Sequence, residues 1–198
     1  MWKKGFRSEA ILSAEKIVKQ VDWDDLVLEG YARSDLEEIG ARIEHGDRLS
    51  PARESKACHN RGLRVLFAGP SGTGKTLAAS MLGQLSGRDV YRIALTSLSP
   101  KYIGETEKNL ARIFDRAGEK RWILFFDEAD ALFGKRTGAR NASDRYANQE
   151  VSYLLQHIET YSGPAILASN GTVNEALLQR FHSVVYFPKP APGVRDNN

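Results

Sequence analysis

The chain has 198 residues, which suffices for one full α/β domain but not for two large ones. Its formal net charge of +3 comes from 28 basic and 25 acidic residues, and so small an excess argues against a nucleic-acid partner. Cys58 is the only cysteine, which excludes an internal disulfide and a multi-cysteine metal site. The longest mid-chain apolar run, residues 123–126, is too short to span a membrane, so we expect a cytoplasmic protein.

The first third of the chain is predicted to be mainly helical. Apolar residues recur at helical spacing over residues 8–21, which predicts an amphipathic helix. Ser34 and Glu37 form a capping-box pattern, which predicts that a second helix begins at Ser34. Because residues 46–62 then resemble a loop-rich bridge, we assign residues 1–61 to N-terminal helices and a linker.

From Arg64 onward, short apolar strands alternate with helical segments. The predicted strands are 65–68, 90–95, 122–126, 165–168 and 184–187. The predicted helices are 75–85, 106–117, 142–160 and 174–179. This alternation predicts an α/β domain over residues 62–188, in which five parallel strands form a sheet covered by helices on both faces. The proline- and glycine-rich residues 189–198 are predicted to be a tail.

A complete phosphate-binding pattern, G-x-x-x-x-G-K-[ST], follows the first of these strands. Glycines allow the backbone N–H groups of such a loop to converge on phosphate oxygens, and the helix N-terminus adds positive potential. A glycine-rich turn without chemical meaning is the alternative, but a strand before the loop and a helix after it favour ATP binding. The predicted nucleotide-binding residues are Gly69, Pro70, Ser71, Gly72, Thr73, Gly74, Lys75, Thr76 and Leu77.

Two carboxylates, Asp127 and Glu128, end the apolar strand at residues 122–126. Ligands of open α/β sheets bind at the carboxyl ends of the strands, so Asp127 is predicted to hold Mg²⁺ together with the hydroxyl of Thr76. Glu128 is predicted to polarise the water that attacks the γ-phosphate, while Lys75 reaches the β- and γ-phosphates. A strand end that simply meets solvent is the alternative, and the phosphate loop makes it the weaker one.

Several ordered motifs together resemble the AAA+ superfamily of ATPases, and its AAA branch most closely. They are the phosphate loop, the run Phe126–Phe133, Ser169-Asn170, and the segment Lys101–Leu110, within a resemblance that extends from about Trp23 to Pro188. The resemblance implies a P-loop NTPase fold, a three-layer αβα sandwich, with Mg-dependent ATP hydrolysis. It also implies a homo-oligomeric ring, a hexamer in this branch.

The resemblance gives roles to residues beyond the two motifs. Asn170 matches the sensor asparagine that positions the attacking water, although an ordinary strand-end turn would also use asparagine. Arg180 matches an arginine finger donated to the neighbouring subunit's ATP, and Gln179 stands where many relatives have a second arginine. The alternative for Arg180 is a solvated cation at a helix end.

Two further assignments concern the substrate and the base of the nucleotide. Tyr102 matches the central-pore loop that grips a threaded polypeptide, which implies a protein substrate; the alternative is an ordinary loop aromatic. Val27 lies in a segment that resembles the one packed against adenine, so the linker within residues 1–61 is assigned to the adenine side of the pocket.

One part of the family pattern is expected to be missing. The family's helical lid follows the sheet and completes the nucleotide pocket, but only residues 188–198 remain here. The chain is then a fragment, a disrupted gene product, or a member that takes its lid from elsewhere, and ring formation requires that a lid be supplied. Two other functions stay open: a nucleotide-gated binding module with little turnover, and a DNA-directed machine, against which the small net charge argues.

Overall fold

The computed structural model describes residues 14–26, 28, 30–46, 62–95, 103–130, 152–171, 173 and 178–189. Within these ranges the strands are β1 (Ala14–Ile17), β2 (Arg64–Ala68), β3 (Val90–Ala94), β4 (Ile123–Asp127), β5 (Ala165–Ser169) and β6 (Ser183–Tyr186). The helices are α1 (Gly30–His45), α2 (Lys75–Ser86), α3 (Ile103–Lys120) and α4 (residues 152–160), with a short 3₁₀ helix at Trp23–Asp25.

The strands form one sheet in the order β1-β3-β4-β5-β2-β6. Strands β2 to β6 run parallel to one another, which confirms the predicted α/β class and the five parallel strands. A sixth strand, β1, pairs antiparallel with β3 at one edge. The predicted helix over residues 8–21 is therefore wrong where the structure describes it, because residues 14–17 are extended.

Contacts outside the hydrogen-bond ladder hold the edge strand β1 in place. Lys16 Nζ lies 2.7 Å from the Asp89 carboxylate just before β3, and Ile17 packs against the core. The Gln84 side chain of α2 accepts from the Val21 N–H at 2.7 Å and donates to the Val21 carbonyl at 3.1 Å. Asp89 and Gln84 are distant from β1 in sequence, so the apolar periodicity of residues 8–21 cannot predict these contacts.

Helix α1 begins at Gly30, so the predicted start at Ser34 is wrong. Ser34 is exposed inside the helix, four residues after its first one. The buried face of α1 consists of Ala32, Leu36, Ile39 and Ile43 at helical spacing. Burial of this face against α2, rather than the capping pattern, determines where the helix runs.

Helices cover both faces of the sheet, which confirms the three-layer αβα arrangement. One apolar cluster joins α1 and α2 to the face that carries Val65, Phe67 and Phe125. A second cluster joins α3 and α4 to the opposite face, through Leu66 and Phe126. None of the helices within the described ranges combines the length and the apolar character that crossing a lipid bilayer requires.

Candidate nucleotide-binding site

The phosphate loop leaves β2 and enters α2 through two glycines that the geometry requires. A Cβ atom on Gly69 would overlap the Phe187 carbonyl oxygen, so the two backbones can approach this closely only without a side chain at Gly69. Gly74 is the N-cap of α2 with a φ of 95°, a left-handed conformation that favours glycine. Since Gly74 brings no capping side chain, the first-turn N–H groups of α2 suit a phosphate as their partner.

Lys75 is 6% exposed and is surrounded by oxygen atoms. Its Nζ donates to the carbonyls of Gly69 at 2.6 Å and Pro70 at 2.8 Å, and to Asn170 Oδ1 at 2.8 Å. Burial lowers the pKa of Lys75, and the nearby carboxylates of Asp127 and Asp130 offset part of that effect. An ammonium group held in this way is placed to exchange neutral oxygens for phosphate oxygens, which bind it more strongly.

Asp127 ends β4 and makes an ion pair with Arg92 of the neighbouring strand β3. Both Nε and Nη2 of Arg92 donate to Asp127 Oδ2, at 2.8 and 2.7 Å respectively. The Asp127 side chain is 15% exposed, while that of Arg92 is 39% exposed. The ion pair therefore lies at the border between the sheet and the cavity, where solvent screens it less than on the open surface.

Glu128 turns the chain away from the strand. Its φ is +56°, in the left-handed region that non-glycine residues adopt at a cost of about 1–2 kcal/mol. Its N–H donates to Asp127 Oδ1 at 3.0 Å. The strand therefore ends at Asp127, and Glu128 occupies the turn that follows it.

Asp130 holds the turn that carries Asn170. Its carboxylate accepts from Ser169 Oγ at 2.6 Å, from the Asn170 N–H at 3.0 Å and from the Gly171 N–H at 3.0 Å. Burial raises the pKa of Asp130, but these hydrogen bonds outweigh it and leave the pKa below its ordinary value. An ionised Asp130 thereby fixes the turn from which the Asn170 amide reaches Lys75.

These groups converge on a single cavity of about 360 Å³. It is lined by Ser71, Gly72, Gly74, Lys75, Thr76, Leu77, Arg92, Asp127, Glu128 and Asn170. Three more residues of the predicted loop adjoin it: the carbonyls of Gly69 and Pro70 bind Lys75, and Thr73 Oγ1 donates to the Pro70 carbonyl at 2.8 Å. The sheet order explains this convergence, because β4, β5 and β2 are successive neighbours whose carboxyl ends share one edge.

One described residue of the predicted site is not brought to this cavity. Arg180 is not among the lining residues; it is 53% exposed and its Nη1 donates to Glu159 Oε1 at 2.8 Å. Val27, assigned to the adenine, and Tyr102, assigned to the pore, lie outside the described residues. Their roles stay predictions.

Sequence reasoning missed two residues of the site, Arg92 and the turn-holding Asp130. A basic residue inside the otherwise apolar strand Val90–Ala94 is the signal that would have identified Arg92. It becomes informative only when β3 is placed beside β4. Asp130 belongs to the acidic run after β4, but its partners Ser169 and Asn170 come from another strand end.

The donor atoms at the cavity suit Mg²⁺. Thr76 offers a hydroxyl and Asp127 a carboxylate, and hard cations such as Mg²⁺ prefer oxygen ligands. Mg²⁺ keeps several water molecules and takes few protein ligands when it accompanies phosphates, so two such side chains suffice. Thr76 and Asp127 are the residues that would hold the ion.

Comparisons with known proteins agree with this geometry. The chain is 34% identical over 148 residues to the AAA family ATPase y4kL of Sinorhizobium fredii, covering 70% of this chain and 44% of that protein. It is 34% identical over 191 residues to the peroxisomal ATPase PEX6 of Arabidopsis thaliana, covering 91% of this chain and 19% of that one. The chain thus spans less than half the length of these relatives.

The solved structure of the FIGL-1 AAA domain in complex with ADP is similar in fold. It matches with a TM-score of 0.64 and 25% identity, over 93% of this chain and 60% of that one. The sequence pattern of the ATPase family associated with various cellular activities (AAA) matches residues 65–189, more than half of the chain. This confirms the predicted family and the predicted ATPase class: the chain belongs to the AAA family of ATPases.

Proposed function

We propose that the chain binds Mg-ATP in the cavity at the carboxyl ends of β2, β4 and β5 and hydrolyses the bond between its β- and γ-phosphates, which releases ADP and inorganic phosphate. One observation carries the proposal: Lys75 and Thr76 of the phosphate loop line the same cavity as Asp127, Glu128 and Asn170. A cation, a hydroxyl, two carboxylates and an amide are the groups that phosphoryl transfer to water needs. Membership of the AAA family supports it.

Each group has a role that follows from its chemistry. Lys75 binds oxygens of the β- and γ-phosphates in place of the carbonyls that it now holds. Glu128 accepts a proton from the attacking water, and Asn170 orients that water. Mg²⁺, held by Thr76 and Asp127, neutralises charge on the phosphate oxygens when bound.

A homo-hexameric ring, formed when a helical lid is supplied, in which Arg180 completes the neighbouring site is the proposed assembly. Arg180 pairs with Glu159, but both side chains are about half exposed, at 53% and 52%. Such exposed pairs contribute less than about 1 kcal/mol, so the guanidinium can leave Glu159 for a neighbour's phosphate at little cost. The resemblance to the AAA branch supports this role.

Remodelling of a protein substrate through the ring is the proposed use of the hydrolysis. It rests on the likeness of Tyr102 and its neighbours to the pore loop of the AAA branch. A tyrosine supplies contact area at low conformational cost, so it can grip a polypeptide without sequence preference.

ATP turnover measured against protein concentration tests the shared site. We expect specific activity to rise cooperatively, and mixing in Arg180→Ala to inhibit the wild type more than in proportion to its share. Arg33→Ala is the matched control, because Arg33 forms an equally exposed ion pair with Glu37. A flat specific activity without dominant inhibition would exclude a finger donated in trans.

A further inference from the structure

Arg92 is a second cation at the cavity, beside Lys75, that the phosphate-loop motif does not include. It lies on β3, where Arg92 is in register with Phe125 and Ala94 with Asp127 of β4. Residues in register share a sheet face, and Phe125 faces the layer of α1 and α2. Arg92 and Asp127 therefore lie on the face from which the phosphate loop enters α2.

The contacts of the two cations differ. Lys75 is bound by two carbonyls and the Asn170 amide, all neutral acceptors. Arg92 instead binds one oxygen of a carboxylate, Asp127 Oδ2, through two N–H groups. A guanidinium has five N–H donors in a rigid planar fork, so it can hold this oxygen and a phosphoryl oxygen at once.

The charge at the cavity makes a phosphate the fitting second partner. Its lining carries two cations, Lys75 and Arg92, and two carboxylates, Asp127 and Glu128. Arginine stays protonated at all ordinary pH values and matches the geometry of phosphate oxygens. A bound triphosphate brings several negative charges, and Lys75 alone neutralises only part of them. Arg92 offers a second positive charge on the side of the cavity where Asp127 lies.

We propose that Arg92 binds the terminal phosphate of the nucleotide within the same chain while it holds Asp127, and so favours ATP over ADP. This rests on the proposed function, because it presumes that ATP binds between the phosphate loop and Asp127. The competing role is that of a counter-ion only. The positive charge of Arg92 would then repel a metal ion at Asp127. Removal of Arg92 would strengthen Mg²⁺ binding and leave the affinity for metal-free ATP unchanged.

Equilibrium titrations of ATP and ADP distinguish these roles, with EDTA and with Mg²⁺, on the wild type, Arg92→Gln and Arg92→Lys. We expect Arg92→Gln to weaken metal-free ATP binding about tenfold or more, as for a lost charge-assisted contact, and ADP binding less than about threefold. Arg92→Lys keeps the charge but not the fork, so it should recover part of the loss. Arg112→Gln, which removes an exposed arginine from α3, should match the wild type.

Thermal denaturation checks that the variants are folded. If Arg92→Gln is unfolded, the ratio of ATP affinity to ADP affinity in Arg92→Lys is compared with that of the wild type instead. Unchanged metal-free ATP affinity, or equal losses for ATP and ADP, would overturn the role of Arg92. In either case ATP binding that still depends on Lys75 leaves the proposed function intact. A wild type that binds no ATP would instead overturn the proposed function.

Discussion

Two arginines show how position decides the use of the same side chain. Arg64 lies at the edge formed by the amino ends of the parallel strands, and Arg92 donates toward the opposite edge, formed by their carboxyl ends. Arg64, at the start of β2, is 4% exposed and donates to main-chain carbonyls: those of Leu63 at 3.3 Å, Gly163 at 3.0 Å, Glu159 at 3.2 Å, and Tyr161. Arg92, inside β3, donates to a carboxylate that lines the cavity.

The two arginines have different partners because different chemical groups lie at each edge. Helix α4 ends near Arg64, and its last carbonyls carry the negative end of the helix dipole, which a buried cation satisfies. At the other edge the strands end in side chains that can reach a ligand. Changes near Arg64 should therefore alter stability, and changes at the cavity should alter nucleotide chemistry.

The largest effect is expected for Glu128→Gln at the cavity edge. Loss of a general base lowers turnover by about 10²–10⁴-fold, while the similar shape of glutamine preserves ATP affinity. Steady-state ATPase rates and ATP titrations on the same preparation measure both. Glu119→Gln, on the exposed surface of α3, is the control. Unchanged turnover in Glu128→Gln would remove Glu128 from the mechanism.

Arg64→Met should produce the opposite pattern at the other edge. It removes the Arg64 donor to the Gly163 carbonyl and one of the two donors to the Tyr161 carbonyl, which should lower the free energy of unfolding by about 2 kcal/mol. ATP affinity per folded molecule should stay as in the wild type. Urea denaturation and ATP titration test this, with Arg112→Met as the surface control. Weakened ATP binding in the folded variant would refute the separation of the two edges.

A smaller, pH-dependent effect is expected for Asp130→Asn. Because the folded-state pKa of Asp130 lies below its ordinary value of 3.8, its ionisation stabilises the fold above that value. The stabilisation is lost as the pH falls through the lower folded-state pKa. Asp130 is partly exposed, so solvent screening limits the contribution to about 1 kcal/mol or less.

Urea midpoints at pH 6 and at pH 3 measure this contribution. The wild type should lose more stability between the two values than Asp130→Asn does. Asp115→Asn, on the exposed face of α3, should behave as the wild type. Equal losses in the wild type and Asp130→Asn would show that the carboxylate does not hold the Asn170 turn.

The features that local sequence determines were predictable. The phosphate loop has fixed spacing between a strand and a helix, and the alternation of apolar strands with helices predicted the parallel sheet. Asp127 and Asn170 follow apolar strands, so their placement at one edge follows from parallel pairing.

The features that failed depend on contacts between distant residues. Local periodicity predicts a helix at residues 14–17, and the prediction is wrong because neither the pairing of β1 with β3 nor the Lys16–Asp89 ion pair is encoded in that periodicity. Likewise, the place of Arg92 in the site depends on its ion pair with Asp127, thirty-five positions further along the chain. Tertiary packing, not local propensity, set both outcomes.

Whether Lys75 and Mg²⁺ together bind the triphosphate is measured by calorimetry of ATP binding to the wild type and to Lys75→Ala, with and without Mg²⁺. We expect ATP binding to depend on Mg²⁺ and to weaken about a hundredfold or more in a folded Lys75→Ala, since Lys75 is the buried cation that contacts the phosphates. An ATP affinity that is the same with and without Mg²⁺, or that is unchanged in Lys75→Ala, would contradict this expectation.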